Sequence, residues 1–133
     1  MELDVLVIDD DEIFNLMANI MLRDLGITTQ PKCFTSGQEA LAFIRQSKKG
    51  ISYLLFLDIN MPTMSGWEVL DHLGAMPNHL DIHVVIVTSS IDRADKEKAL
   101  DFKQVINFMT KPINREELSA LKEHEKIAVF FPR

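Results

Sequence analysis

Five polar positions are spaced so that they could serve one piece of chemistry: the adjacent Asp9 and Asp10, the isolated Asp58, then Thr88 and Lys111. Carboxylates brought near one point repel one another, and they stay ionised only if a cation stands among them or some hold a proton. An oxygen-rich acidic set of this kind suits Mg²⁺, with Mn²⁺ able to take its place, because such ions keep some waters and share their remaining positions with phosphate oxygens. Lys111 adds a mobile positive charge and Thr88 a hydroxyl donor. Together these groups would hold a phosphoryl group: metal and ammonium offset its charge, the hydroxyl positions an oxygen, and one carboxylate is free to attack. Asp58 is the best nucleophile because it stands alone, whereas the paired Asp9 and Asp10 suit the metal.

The elements around these residues explain how they could meet. Short apolar runs at 3–8, 28–34, 51–57, 82–87 and 105–109 predict strands, and amphipathic segments at 11–25, 36–46, 65–75, 91–102 and 114–126 predict helices. This βα alternation implies a doubly wound parallel sheet of five strands with five helices on its two faces. Gly26, Ser36 with Gly37, Gly66, and Asn114 with Glu117 punctuate the helices. Pro31 lies within the second run and places that strand at a sheet edge, since proline cannot donate to a central ladder. Asp9 and Asp10, Asp58, Thr88 with Ser89 and Ser90, and Thr110 with Lys111 and Pro112 all follow carboxyl ends of strands, the edge where open α/β sheets bind ligands.

Composition bounds the alternatives. The 133 residues, 47% hydrophobic and 26% charged, fit one soluble domain over 1–133, with a core of about 3–126 and a tail at 127–133. A net charge of −6 argues against a nucleic-acid surface, and "SKKG" at 47–50 is too small a basic spot to offset it. No apolar run is long enough to span a membrane, and the N-terminus does not resemble a signal peptide. The lone Cys33 fits a reducing cytoplasm and reads as a packed strand residue.

"VLVIDDDE", "LLFLDINMPTMSG", "VVIVTSS" and "FMTKPI", in this order and at these spacings, resemble the receiver domain of two-component response regulators. The similarity covers essentially the whole chain. It implies a flavodoxin-like fold with strand order 2-1-3-4-5 and a phospho-acceptor role for Asp58, which would take its phosphoryl group from a histidine kinase or histidine phosphotransferase. Asp10 would then bind Mg²⁺ directly and Asp9 through water, with Asn60 offering its backbone carbonyl. Lys111 matches the family's lysine, preceding a cis peptide at Pro112, and Thr88 with Phe108 matches the switch pair. Ser89 and Ser90 would flank the phosphoryl group together with Asn60, and Ser65 stands where an acidic residue is common. Phosphorylation would be read on the face built from the fourth helix, fifth strand and fifth helix, by a downstream protein target or a second copy. Phe14 and Ile113 would contact the phosphodonor. Such a domain catalyses its own phosphorylation and dephosphorylation but is not a turnover enzyme. If both termini are natural ends, it acts alone, by docking or by relaying the phosphoryl group.

Each assignment has a plainer rival. Asp11 and Glu12 read as an ordinary helix start, since acids favour first turns. Phe108 could be core rather than switch, and Phe14, among Ile13, Met17, Ala18 and Met21, could equally be core. His72, His79, His83 and His124 show no metal spacing and read as surface residues, and Trp67 as packing for its helix. The apolar "IAVFF" at 127–131 reads as a tail packed on the domain, with a partner patch as the rival. Two other function classes remain: a receiver-like module that binds partners without phosphorylation, and a haloacid dehalogenase-type phosphatase with Asp9 as nucleophile and Asp11 beside it. Against the phosphatase stand the missing length for a cap and the missing downstream acidic motif.

Overall fold

In the computed structural model, which describes residues 2–48, 50–77 and 80–132, the strands are β1 (Glu2–Ile8), β2 (Lys32–Phe34), β3 (Ile51–Leu57), β4 (Asp81–Thr88) and β5 (Val105–Thr110). They form one parallel sheet in the order β2-β1-β3-β4-β5. The helices are α1 (Glu12–Asp24), α2 (Gly37–Arg45), α3 (Gly66–Gly74), α4 (Arg93–Ala99) and α5 (Arg115–Ala120). His79 and Lys49, the latter part of the basic stretch, lie outside the described residues.

The continuous apolar character of the central strands follows from burial on both faces. Leu6, Ile8, Leu55, Leu57, Val84 and Ile86 point to one core with residues of α2 and α3. The alternate positions Val5, Val7, Leu54, Phe56, Val85 and Val87 point to the other, with Ala18 and Leu22 of α1 and Leu118 of α5. Every strand therefore ends at the same edge, and the chain reverses direction across the sheet between β1 and β3. The crevice opened there lies directly beyond Ile8 and Leu57, which are register partners.

Side-chain caps start the helices where the polar punctuation stands. Asp11 accepts from the amides of Ile13 and Phe14, at 2.9 and 3.2 Å, and Ser36 accepts from Glu39. Ser65 forms a capping box with Glu68 at α3, and Asn114 caps α5 by accepting from Glu117 at 3.0 Å.

Several boundaries and burials differ from the sequence reading. The second strand keeps only Lys32–Phe34 of the run 28–34, and Pro31 lies just ahead of it rather than within it. Proline has no N–H for the ladder, so pairing with β1 begins after it. The fourth helix is Arg93–Ala99, leaving Ile91 and Leu100 outside it and exposed. The fifth stops at Ala120 and tightens into a 3₁₀ turn at Leu121–Glu123, with a second at Ala128–Phe130. That change of pitch lets Leu121 and Ile127 both reach the core beneath α1, with Phe130 and Phe131 packed against it, while Val129 stays exposed. Lys122 Nζ donates to the Leu25 carbonyl at 2.7 Å and ties this end of the chain to the end of α1.

Cys33 is exposed, not packed, because β2 is an edge strand. His83 is not a surface residue: its side chain is 12% exposed and its Nε2 lies 3.0 Å from Asp81 Oδ1, whose other oxygen accepts from Ser52. His72 is exposed and His124 half-buried. Trp67 is half-buried and stacks on Phe102, with Lys98 Nζ over its ring at 4.8 Å. Among the described residues no helix is long and apolar enough to cross a membrane.

Candidate functional site

Asp9 follows β1 and Asp58 follows β3, so the register that pairs Ile8 with Leu57 sets the two acids side by side at the crevice. The Asp58 amide donates to the Ile8 carbonyl at 3.0 Å, extending the ladder into the site itself. Asp9, Asp10 and Asp58 each offer a carboxylate oxygen within 4.8 Å of the others. Asp9 and Asp58 are buried, whereas Asp10 faces solvent.

Lys111 stands among them. Its Nζ lies 2.7 Å from Asp9 Oδ2 and 3.4 Å from Asp58 Oδ2, and 4.3 Å from the centre of the Phe14 ring. The Lys111 amide donates to the Thr88 carbonyl at 2.8 Å, so β5 delivers the lysine in register with the end of β4. The Lys111–Pro112 peptide is cis. Burial pushes the Asp9 carboxyl above its ordinary value; the Lys111 ammonium and the Asp11 amide act the other way, and the Asp58 charge adds to the rise. For Lys111, burial favours loss of the proton, but the hydrogen bond to Asp9 and the charges of Asp58 and Asp9 override it and hold the ammonium above its ordinary value. Partial desolvation of the Sγ beside α1 raises the Cys33 thiol although the residue as a whole is exposed, with a hydrogen bond from Asn19 opposing it.

Thr88, fully buried at the end of β4, accepts from Asn60 Nδ2 and from the Ser90 amide, both at 3.3 Å. Both contacts use its oxygen as acceptor, which leaves the O–H available to donate. The Asn60 amide donates to Asp58 Oδ1 at 3.1 Å and fixes the plane of that carboxylate. The Ser90 hydroxyl turns away to Asp95 Oδ2, 2.6 Å distant on α4, and Ser89 is exposed. Phe108 is half-buried on β5 against the core of α2 and α3, with Lys96 Nζ over its ring at 5.9 Å. Phe14 and Ile113 line an apolar groove of about 310 Å³ with Met17, Met21 and Pro112, opening beside Lys111. A larger groove, about 1150 Å³, lies away from the acids between Gly26, Ser119 and Phe131.

Two features of the site carry no mark in the motif pattern. The turn after Asp58 places its positive φ, 68°, at Thr63 rather than at a glycine. Asn15 of α1 is buried and donates through Nδ2 to the Asp9 carbonyl at 2.9 Å. The signal for Asn15 was available, because it shares the buried stripe of α1 with Ala18 and Leu22, where an amide needs a partner.

Residues 5–123 match the family model described as the response regulator receiver domain. The cyclic di-GMP phosphodiesterase response regulator RpfG of Xanthomonas campestris pv. campestris is 30% identical over 118 residues, 89% of this chain. The chain spans only 30% of that protein's length. Among solved structures, a response regulator receiver protein from Dyadobacter fermentans superposes with a TM-score of 0.84 at 25% identity, over 98% of this chain and 99% of that one. The receiver domain of the sensor histidine kinase PA1611 from Pseudomonas aeruginosa, solved with a magnesium ion in its active-site cleft, shares the fold with a TM-score of 0.72 at 19% identity, over 93% of this chain and 98% of that one. With a 2-1-3-4-5 sheet, an acidic crevice at its switch point and a family match over most of its length, the chain belongs to the response regulator receiver domains of two-component signalling.

Proposed function

We propose that the protein accepts a phosphoryl group on Asp58 from a phosphohistidine of a histidine kinase or histidine phosphotransferase. The observation that carries this reading is the convergence of Asp9, Asp10 and Asp58 around one point, with the Lys111 ammonium bridging Asp9 and Asp58. Ionised carboxylates this close suit a hard divalent cation, and the magnesium held by the PA1611 receiver supports the same assignment. Asp10 and Asp58 would hold the ion with the Asn60 backbone carbonyl, and Asp9 would assist through water; when bound, it would offset charge on the phosphoryl oxygens.

The residues of the chain then divide the work. An Asp58 carboxylate oxygen attacks phosphorus, a P–O bond forms, and the P–N bond of the donor breaks with its electron pair leaving on the imidazole nitrogen, which takes up a proton. The Asn60 amide keeps the Asp58 carboxylate in place during approach. Lys111 moves its charge toward the new phosphoryl oxygens, and the Thr88 O–H donates to one of them. The phosphoryl group carries a charge close to −2 at about pH 7 where the carboxylate carried about −1; its oxygens draw the Thr88 hydroxyl toward them, and the Phe108 ring turns inward to fill the space left. The change would be read on the α4-β5-α5 face by a target protein or by a second copy of the chain, or the phosphoryl group would pass onward.

The donor's docking site is supported by α1. Ile13, Leu16, Met17 and Ile20 are 72, 62, 55 and 50% exposed and follow helical spacing, beside the groove of Phe14 and Ile113. A helical donor laying an apolar face on this stripe would bring its histidine over Asp58.

The deciding experiment labels the protein with acetyl phosphate and Mg²⁺ and maps the acyl phosphate. Label on Asp58 of the wild type, lost in a folded Asp58→Asn variant, is the expected result. Label on Asp9 would point to phosphatase-type chemistry instead, and no label on the wild type would leave a partner-binding module.

A further inference from the structure

We propose that Asn15 is the positioning residue of the acidic site, a buried amide that fixes the end of β1 so that Asp9 and Asp10 meet Asp58 in a cation-binding arrangement. The proposal rests on the reading of those three acids as a divalent-cation site.

Asn15 sits one turn into α1, and its side chain faces inward to the place where β1 and β2 end. Nδ2 donates to the Asp9 carbonyl at 2.9 Å and reaches the Phe34 carbonyl at 3.5 Å. The Phe34 carbonyl also accepts from the Asp9 amide at 3.0 Å. One amide group thus ties three segments together at Asp9: the end of its own strand, the end of the edge strand, and the helix that begins two residues after Asp10. The orientation of the amide is fixed by chemistry, because turning it over would aim Oδ1 at two carbonyl oxygens. In the orientation observed, Oδ1 is buried with no hydrogen-bond partner. A buried polar atom left unmatched is costly, so packing alone would favour an apolar side chain here. What the amide provides instead is a fixed backbone at Asp9.

That backbone governs the site through short links. Asp9 Oδ1 accepts from the Asp11 amide at 2.9 Å, and Asp9 Oδ2 meets Lys111 at 2.7 Å. Asp10 lies between, and its side chain is exposed with no core packing to orient it. Its position therefore depends on the peptide units of Asp9 and Asp11, both set by the network that Asn15 anchors. Groups that orient metal ligands without touching the metal change metal affinity by about 10–100-fold when removed.

The test is Mg²⁺ affinity by titration calorimetry on the full chain, at a temperature where circular dichroism shows every variant folded. Asn15→Leu is expected to bind Mg²⁺ about 10–100-fold more weakly than wild type. Leu22→Ala, a cavity on the same buried stripe but remote from the acids, is the control for lost stability and is expected to keep wild-type affinity while melting lower. Should Asn15→Leu not fold, Asn15→Ser keeps one donor but cannot span both carbonyls, and is expected to bind Mg²⁺ several-fold more weakly. Wild-type affinity in the folded Asn15 variants would overturn the positioning role, as would an equal loss in Leu22→Ala. A wild-type protein that binds no Mg²⁺ would remove the cation site itself, and the role of Asn15 with it; that failure is distinct because it is visible before any variant is compared.

Discussion

Lys111 is paired more closely with Asp9, at 2.7 Å, than with Asp58, at 3.4 Å. The ammonium thus occupies the acid cluster from the side of β1, compensating the most buried carboxylate while leaving Asp58 Oδ1 to the Asn60 amide. A divalent cation drawn to these acids would therefore compete with the lysine for the same negative potential. Lys111→Met should bind Mg²⁺ about tenfold more tightly, equivalent to about 1.4 kcal/mol, yet label more slowly with acetyl phosphate. Calorimetry and labelling time courses on the two proteins measure both halves; weaker Mg²⁺ binding in the variant would contradict the competition.

Asp9 should cost stability whenever it is ionised without a divalent cation beside it, because burial outweighs the Lys111 ammonium. Its folded pKa is raised, chiefly by burial, so the native state holds that proton more tightly than the unfolded chain does. The stability linked to the proton is fully present below the unfolded carboxylate value and is lost as pH rises through the raised folded value. Asp9→Asn, which mimics the neutral form, should therefore melt higher than wild type at neutral pH in metal-free buffer. At this size each ~1 kcal/mol of gain raises the melting temperature by about 3–5 °C. The gain should shrink toward zero as pH falls below the ordinary carboxylate range, and Mg²⁺ should narrow it at neutral pH by stabilising the wild type more than the variant. Melting curves across pH, with and without Mg²⁺, follow the sign directly.

The site was legible in the sequence to the extent that strand ends were. Val5–Ile8, Leu54–Leu57 and Val84–Val87 are continuously apolar because both faces are covered, and such runs mark where the chain must leave the core. Asp9, Asp58 and Thr88 stand at those exits, and Lys111 follows the less buried β5. The extent of β2 was less legible, since an edge strand of Lys32–Phe34 has little apolar signal of its own. The partners of individual polar side chains left no periodic trace: the Ser52–Asp81–His83 cluster, the turn of Ser90 toward Asp95, and the bond from Asn15 to the Asp9 carbonyl, although the burial of Asn15 itself was legible in the stripe of α1. The 3₁₀ turns after α5 were hidden for a different reason. Leu118 and Leu121 keep the helical spacing, but 122–126 is wholly polar, and burial of Ile127 decides the path.

Gly66 should be irreplaceable for steric reasons. It opens α3 against the backbone that carries Asp58, and a Cβ there would lie 2.5 Å from the Asp58 carbonyl oxygen and 2.6 Å from Ile59 Cα. Neither atom can swing aside as a side chain could. Gly66→Ala should destabilise the fold by about 1–3 kcal/mol. It should also slow Asp58 labelling at temperatures well below its melting point, because relief comes from shifting the peptide of Asp58 itself. Thermal unfolding and labelling rates measured together test the pair; a stable variant with wild-type rates would show that the loop yields without moving Asp58.

The exposed stripe of α1 should separate transfer from a protein donor from transfer from a small one. Met17 is 55% exposed between Ile13 and Ile20 and lines the groove beside Lys111 with Phe14 and Ile113. Met17→Glu places a charge where a helical donor would bury apolar surface, and an unpaired charge in a desolvated interface costs several kcal/mol. Transfer from a cognate phosphohistidine protein should slow by at least about tenfold, while acetyl phosphate labelling and the melting temperature stay near wild type. Small-molecule labelling needs only the crevice; protein transfer needs the crevice and the helix. An equal loss with both donors would place Met17 inside the phosphorylation site rather than on its docking surface, and no loss with either would move the donor to another face.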